Sequence, residues 1–176
     1  MTWIQTANGR KFDLLSPKPE DVDVYDIAHA LSNICRFQGH CKWFYSVAQH
    51  SVHVAELVST PYKLDALLHD AGEAYYGDIT RPQKAIWHQA TQGNYTAWLK
   101  RIDSVIAMAL HLSMPMSDCV KYADDIMLAT EARDLMGPPP EPWVAMPPPR
   151  LLPIVPWTPT IAFQQFVLLY EELNEW

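Results

Sequence analysis

The chain has 176 residues, of which 49% are hydrophobic, and a formal net charge of -7 at pH 7. A chain of this length can bury one good core but not two, so we expect a single domain over residues 1–176. The acidic balance argues against a nucleic-acid polymer as partner, because phosphate neutralisation needs clustered Lys and Arg. No stretch approaches the roughly 20 apolar residues that cross a membrane, so we expect no membrane partner either.

The three cysteines, Cys35, Cys41 and Cys119, follow no repeated spacing. An odd number without a pattern predicts free thiols in a reducing compartment. The first residues also lack the basic segment followed by an apolar one that marks a secretory signal. We therefore expect a cytoplasmic protein.

Residues 3–14 predict a small β-hairpin. Asn8-Gly9 is the strongest signal for a two-residue turn, in which both central residues need positive φ. Because two strands alone are marginal in water, the hairpin should pack on something larger. Apolar residues then recur every three or four positions from about residue 20 to residue 35. This pattern predicts a helix that is capped by Asp21 or Asp23.

Periodic apolar residues predict four more main helices and one short helix before residue 137. Ser46 suits the N-terminal cap of the first of these helices, and Gly77 suits the C-terminal cap of the second. Arg36 and the four residues after it break the helical pattern and predict a loop. The predicted helical ranges are 46–58, 62–76, 82–88, 95–112 and 118–136.

Residues 137–159 contain ten prolines, which exclude regular helix or a central strand. Such a composition is typical of disordered tails. Large apolar side chains between the prolines nevertheless offer surface to bury, namely Trp143, Val144, Met146, Leu151, Leu152, Ile154, Val155 and Trp157. We therefore predict an ordered Pro-rich arm, wrapped on the domain or on a neighbouring subunit, and a last helix at 160–173. The whole chain predicts an all-α fold with a small N-terminal hairpin.

An adjacent His-Asp pair, His69 and Asp70, follows the apolar run of the helix predicted at 62–76. Imidazole nitrogen and carboxylate oxygen can both ligate one divalent cation. Glu73 lies four residues after His69 and three after Asp70, so on a helix its side chain would project to the same side as theirs. Two ligands and a spare carboxylate on one helix face are components of metal-assisted hydrolysis.

Two more candidate ligands lie on other predicted helices. His50 precedes the His-Asp pair by 19 residues, and Asp124 follows it by 54. Asp124 aligns with the apolar face of its helix, whereas its neighbour Asp125 points about 100° away. His53 is the alternative to His50, but it lies away from the apolar stripe of its helix. We therefore expect it behind the metal ligands or at the surface. Glu131 shares the face of Asp124 and should pair with an inner arginine, either Arg36 or Arg133.

These residues, in this order, resemble the HD-domain phosphohydrolase superfamily, which takes its name from its H…HD…D metal ligands. The resemblance covers most of the chain and is closest to the small 5′-deoxynucleotidase-like branch. That branch includes deoxynucleoside monophosphatases and short phage-encoded deoxynucleoside triphosphate hydrolases, some of them directed at dATP. The segments that carry the resemblance are 34–37 (ICRF), 45–51 (YSVAQHS), 68–74 (LHDAGEA), 77–78 (GD), 123–124 (AD) and 130–131 (TE).

The resemblance implies that His50, His69, Asp70 and Asp124 are the metal ligands of an HD-domain helical bundle. It also implies that Glu73 is a catalytic residue, which positions or deprotonates the attacking water. Two imidazoles and two carboxylates suit Zn, Mn, Co, Ni or Fe better than Mg.

The resemblance further implies that Arg36 grips phosphate and that Asp78 lies near the nucleophile or the sugar, both as part of the catalytic machinery. Phe37 stands where relatives have a tryptophan close to the sugar and the base. A phenylalanine keeps an aromatic face there but lacks the indole N–H donor. Lys84, shortly after Arg81, is a second candidate phosphate contact.

The implied activity is metal-dependent hydrolysis of the 5′-phosphate ester of a deoxynucleotide. Four basic residues near the predicted site favour a triphosphate substrate such as dATP, namely Arg36, Lys42, Arg81 and Lys84. A 5′-deoxynucleoside monophosphatase and a cyclic nucleotide phosphodiesterase are alternatives on the same scaffold. A further alternative is a non-catalytic domain that binds a nucleotide or a partner protein. The Pro-rich arm and the acidic C-terminus with its tryptophan favour a homo-oligomer.

Overall fold

The computed structural model describes residues 1–143 and 145–174. Within these ranges the chain forms eight α-helices and one two-stranded antiparallel sheet, so the all-α prediction with a small hairpin is confirmed. None of the described helices is long and apolar enough to span a membrane. The elements are β1 (Trp3–Gln5), β2 (Lys11–Asp13), α1 (Val24–Asn33), α2 (Val47–Glu56), α3 (Lys63–Leu67), α4 (Glu73–Tyr76), α5 (Arg81–Ala90), α6 (Asn94–Ala109), α7 (Asp118–Leu135) and α8 (Pro159–Asn174).

The hairpin is present, but the predicted two-residue turn is wrong. Five residues, 6–10, join the strands, and Gly9 has a positive φ of 77° whereas Asn8 does not. The turn is instead shaped by Asp26 of α1, which accepts hydrogen bonds of 2.7 Å from Thr6 Oγ1 and from Asn8 N. This tertiary contact overrides the local turn preference and docks the hairpin on the helical body. Phe12 completes the docking, because its buried ring stacks on the ring of Tyr75.

Helix α1 begins at Val24, four residues later than its predicted start. Of the two candidate caps, Asp23 is the one used, since its carboxylate accepts hydrogen bonds from the backbone N–H groups of Tyr25 and Asp26. Ser46 caps α2 as predicted, with its side chain accepting from Gln49 N. The ends of α2, α5, α6, α7 and α8 lie within three residues of their predicted positions.

The single helix predicted at 62–76 is wrong, because the structure divides it into α3 and α4 with a turn at 68–72. Two short-range backbone bonds form the turn, from Ala71 N to Leu68 O at 3.0 Å and from Glu73 N to Asp70 O at 2.9 Å. The carbonyl of Ala66 accepts a hydrogen bond of 2.7 Å from the His69 ring instead of continuing the helical ladder. The break therefore lies at the His-Asp pair itself.

The centre of the fold is α2, which packs against α1, α3, α7 and α8. Nine of its ten residues are buried. A helix enclosed on all sides gives its polar residues no access to bulk water, so His50 and Gln49 must find partners inside the protein.

Residues 137–143 and 145–158 of the Pro-rich arm form no helix or strand, yet hydrogen bonds fix much of this segment to its own chain. Arg150 N donates to Thr130 Oγ1 at 3.0 Å, and Ile154 N donates to Asp134 Oδ2 at 2.9 Å. Gln49 binds the arm twice: its side-chain amide donates to Val155 O and accepts from Trp157 N, each at 2.8 Å. The arm is therefore ordered on its own domain over this part. Val144, which the sequence assigns to the buried surface of the arm, lies outside the described residues.

Candidate metal centre

Four polar residues from three elements meet at one point. His50 lies in α2, His69 and Asp70 lie in the turn between α3 and α4, and Asp124 lies in α7. One nitrogen or oxygen atom from each of His50, His69 and Asp124 lies within 4.8 Å of the corresponding atoms of the other two. This cluster could hold a metal ion, which agrees with the prediction of a divalent cation as cofactor.

The distances define the cluster around the Nε2 atoms of the two histidines, which are 3.3 Å apart. Asp124 Oδ1 lies 3.2 Å from His50 Nε2. Asp70 Oδ2 lies 3.2 Å from His69 Nε2 and 3.7 Å from His50 Nε2. Adjacent side chains of a helix diverge by about 100°. The turn at 68–72 thus lets His69 and Asp70 face the same point.

The outer nitrogens of both histidines are occupied by acceptors. His50 Nδ1 donates to Glu131 Oε1 at 2.6 Å, and His69 Nδ1 donates to Ala66 O at 2.7 Å. These acceptors fix the ring orientations and, in the neutral imidazoles, leave the Nε2 lone pairs directed into the cluster. Metal-ligating histidines in proteins are generally held in this way by a carboxylate or a backbone carbonyl.

Glu131 and Arg36 form a buried ion pair behind the cluster. Arg36 Nε and Nη2 each lie 3.1 Å from Glu131 Oε2, and the Glu131 side chain has no exposed surface. Arg36 Nη1 reaches forward to 3.5 Å from Asp70 Oδ2. Of the two arginines considered for Glu131, Arg36 is the partner, whereas Arg133 pairs with Asp134. Glu131 binds His50 as well, a role that the sequence analysis did not assign to it.

The ionisation of these groups follows from their neighbours. Burial and Arg36 lower the pKa of His50, but the carboxylates of Glu131 and Asp124 outweigh them and raise it to about 9. Burial raises the pKa of Asp70, yet His69, His50 and Arg36 hold it well below its usual range. Burial also raises the pKa of Asp124, but the hydrogen bond and charge of His50 outweigh it and lower this pKa below its usual range. Both carboxylates are therefore ionised near neutral pH, as ligation of a cation requires.

Glu73 lies next to the cluster at the start of α4, and only 3% of its surface is exposed. Its Oε1 atom lies 3.6 Å from Lys84 Nζ, and its Oε2 atom is buried without a hydrogen-bond partner among the described residues. Burial and the nearby carboxylates of Asp70 and Asp78 raise the pKa of Glu73 well above its ordinary value. A carboxyl group with a raised pKa is suited to take up a proton.

Helix α5 places two positively charged side chains, Arg81 and Lys84, beside the cluster. Lys84 contacts Glu73, and Arg81 Nη2 lies 3.1 Å from Asp124 Oδ2 and 2.6 Å from Asp125 Oδ1. Asp125, the rival of Asp124, thus faces Arg81 and not the histidines. From the sequence, Arg81 is predicted only to add positive charge near the site, since nothing in its spacing shows that it reaches a candidate ligand.

His53, the rival of His50, is buried outside the cluster. Its Nδ1 atom lies 3.0 Å from Glu56 Oε2, and its ring lies 5.1 Å from that of Trp157. His53 therefore connects α2 to the Pro-rich arm and is not a surface residue.

The loop after Arg36 has a strained backbone and is fixed by hydrogen bonds to Asp78 and to Gln83 of α5. Phe37 and Gln38 have φ values of 52° and 53°, which place both in the left-handed region. Each such residue costs about 1–3 kcal/mol, and strain of this kind is concentrated at functional sites. Gln38 N lies 3.4 Å from Asp78 Oδ2, and the Gln38 amide donates to Gln83 Oε1 at 2.6 Å. Asp78 thus helps to fix the loop that carries Arg36 and Phe37.

These features are those of an all-α protein with a half-buried cluster of His and Asp side chains that could hold a metal. In comparison with known proteins, the chain is 39% identical over 178 residues to YfdR of Escherichia coli K12, an uncharacterized protein, with 99% of this chain and 97% of YfdR covered. It is also 34% identical over 152 residues to an uncharacterized protein of Rhodobacter capsulatus, with 77% of this chain and 74% of the relative covered. The chain belongs to the family of these proteins. No protein-family model matches it, and the names of both relatives state no activity, so the function is argued from the site.

Proposed function

We propose that this protein is a metal-dependent phosphohydrolase of the HD type, which cleaves the 5′-phosphate ester of deoxynucleotides. The observation that supports the proposal is the convergence of His50, His69, Asp70 and Asp124, with Arg36 on one side and Glu73 on the other. A degenerate domain that binds without catalysis would be expected to lack a ligand, and all four residues are present.

The donor set fits a divalent cation with an affinity for both nitrogen and oxygen. Two imidazoles and two carboxylates suit Zn, Mn, Co, Ni or Fe, whereas Mg prefers an all-oxygen environment. Such a cation would polarise a phosphoryl oxygen and support formation of a nucleophile near neutral pH.

Glu73 is the group that handles the proton in this proposal. Water attacks the phosphorus that carries the 5′ ester, and the carboxylate of Glu73 accepts a proton from it. The bond from that phosphorus to the 5′ oxygen breaks, and the oxygen takes the proton back from Glu73, directly or through solvent water, to leave as the hydroxyl group of the deoxynucleoside. The raised pKa of Glu73 supports its role as the proton acceptor, and the contact of Lys84 with Oε1 leaves Oε2 for the water.

Arg36 and Lys84 are the phosphate contacts in the proposal. Arg36 uses Nε and Nη2 to hold Glu131, so Nη1 is the nitrogen directed toward a substrate at the cluster. Lys84, with a side chain that is 41% exposed, offers a second positive charge from α5. Two cations beside the cluster favour a triphosphate, such as dATP, as the substrate.

A 5′-deoxynucleoside monophosphatase is the second candidate, and the ion pairs of α5 favour it. Arg81 is bound to Asp124 and Asp125, and Lys84 lies against Glu73. Both cations are thus partly neutralised, which leaves less positive charge for the additional phosphates of a triphosphate. Either activity would act on nucleotide pools in the cytoplasm.

The test is a panel of deoxy- and ribonucleoside mono- and triphosphates, assayed with Mn²⁺, Co²⁺, Zn²⁺ and Mg²⁺. We expect metal-dependent release of phosphate or triphosphate from deoxynucleotides and formation of the free deoxynucleoside. Asp70→Ala should abolish this release. Hydrolysis that persists in Asp70→Ala, or that occurs with no metal, would overturn the proposal.

A further inference from the structure

We propose that the Pro-rich arm is part of the substrate site, where Trp143 and Phe37 together contact the base of the nucleotide. The inference rests on the proposed function, because it assigns the base-binding wall of the same site. From the sequence, the tryptophans of the arm are expected only to pack against the domain or a neighbouring subunit.

A continuous line of contacts leads from the metal cluster to the arm. Arg36 Nη1 lies 3.5 Å from Asp70 Oδ2, and the guanidinium of Arg36 lies over the ring of Phe37, with Cζ 5.5 Å from the ring centroid. The ring of Phe37 lies in turn 6.2 Å from that of Trp143, at an angle of 48°. A nucleotide whose phosphate is held at Arg36 would thus extend its base along an aromatic surface.

The conformation of Phe37 directs its ring toward the arm. Both Phe37 and Gln38 are left-handed, a conformation that non-glycine residues rarely adopt unless their surroundings impose it. Gln38 is held by Asp78 and Gln83, so the loop is fixed from the side of α5. A loop held under strain in this way is suited to present one side chain at a defined position.

Trp143 is held near Phe37 but keeps a surface free for a ligand. The described arm is anchored behind it by Arg150, whose N–H binds Thr130, and before it by the end of α7. Trp143 nevertheless remains 37% exposed. It also forms one wall of an apolar pocket of about 190 Å³, lined by Ala132, Met136, Gly137, Pro139, Trp143 and Met146. Exposed aromatic faces beside an apolar pocket are the features that bind a base by stacking.

The test compares a nucleotide with the same phosphate ester lacking the base. In the presence of Mn²⁺, Trp143→Ala should raise KM for deoxyadenosine 5′-monophosphate about tenfold, the loss expected for one stacked base, with kcat within about twofold. KM for deoxyribose 5-phosphate should not change. Trp143→Phe should restore most of the affinity, and Leu151→Ala, a matched arm variant at a residue that is 97% exposed, should behave as wild type.

Two results would overturn the inference: unchanged KM values for both substrates in Trp143→Ala, or an equal rise for both. If the wild type hydrolyses neither ester, only the monophosphatase activity is refuted. The inference is then tested by equilibrium binding of deoxyadenosine 5′-monophosphate alone. Binding to the wild type that is about tenfold tighter than to Trp143→Ala would support it. Equal binding, or no binding by the wild type, would overturn it.

Discussion

The two sides of the candidate metal centre differ in how firmly the fold holds them. On one side, α2 and α7 carry His50 and Glu131, neither of which has exposed side-chain surface. On the other side, α5 has no buried residue, and the side chains of Arg81 and Lys84 are 56% and 41% exposed. The buried side can fix ligand geometry, whereas the exposed side can adjust to a substrate at little cost. Four measurements of unfolding, metal binding and KM test this difference between the two sides.

The largest effect should come from Glu131→Ala on the buried side. The substitution leaves Arg36 and the His50 imidazole without their buried carboxylate, and breaking such a pair costs about 3–5 kcal/mol. Urea unfolding should measure this loss. Asp118→Ala, on the same helix but at the surface, is the control, and loss of its exposed ion pair with Lys121 should shift the transition far less. Similar curves for wild type and Glu131→Ala would show that the buried side is not the rigid one.

Metal binding should stabilise the protein through the ligand cluster. Free Mn²⁺ at 100 times its Kd should add about 2.7 kcal/mol to the free energy of unfolding. A chelator should reverse the gain. His69→Ala should show no response, because it removes one of the central nitrogens. An equal response in wild type and His69→Ala would locate the metal elsewhere.

The affinity for metal should depend on pH through His50. In chelator-treated protein the pKa of His50 is raised to about 9, from 6.5 for an ordinary histidine. Because this pKa is raised on folding, protonation of His50 stabilises the folded, metal-free protein. This stabilisation is complete below pH 6.5 and is lost as the pH rises through about 9. A metal must displace that proton, so the Kd for Mn²⁺ should fall about tenfold per pH unit between 6.5 and 9. Calorimetry at several pH values checks this, and a Kd independent of pH would contradict it.

The smallest effect on stability should come from Lys84→Ala on the exposed side. Its contact with Glu73 is partly solvated, so unfolding should change by less than about 0.5 kcal/mol. KM for a deoxynucleotide should nevertheless rise about tenfold, a typical loss for one charged contact with phosphate. Lys100→Ala, an exposed residue of α6, should change neither quantity. An unchanged KM in Lys84→Ala would remove α5 from the substrate site.

The sequence predicted elements whose signal is local and missed those that depend on distant contacts. Ser46 and Asp23 cap their helices because a cap needs only the residues that follow it. The hairpin turn was mispredicted because Asp26, far along the chain, binds it. The turn at 68–72 was missed because apolar spacing continues through it, while the His69 ring occupies the carbonyl of Ala66.

The candidate site divides in the same way. The order of His50, His69, Asp70 and Asp124 was readable because each lies on or beside an apolar helical stripe. The contact of Arg81 with Asp124 could not be predicted from the sequence, because α5 has no buried residue that would indicate how the helix packs. Likewise, the approach of Trp143 to Phe37 depends on the path of residues 137–143, which lie outside the helices and strands and have no periodic pattern to predict it.

The metal-dependent mechanism is tested by measuring metal content and hydrolysis together in Glu73→Gln, in which the side chain has nearly the shape of glutamate but cannot accept a proton. Glu172→Gln, at an exposed position, is the matched control. We predict that Glu73→Gln keeps the metal content of the wild type while release of the deoxynucleoside falls at least about a hundredfold, as expected for loss of a general base. Loss of metal would instead make Glu73 a ligand, and undiminished hydrolysis would contradict its role as the proton acceptor.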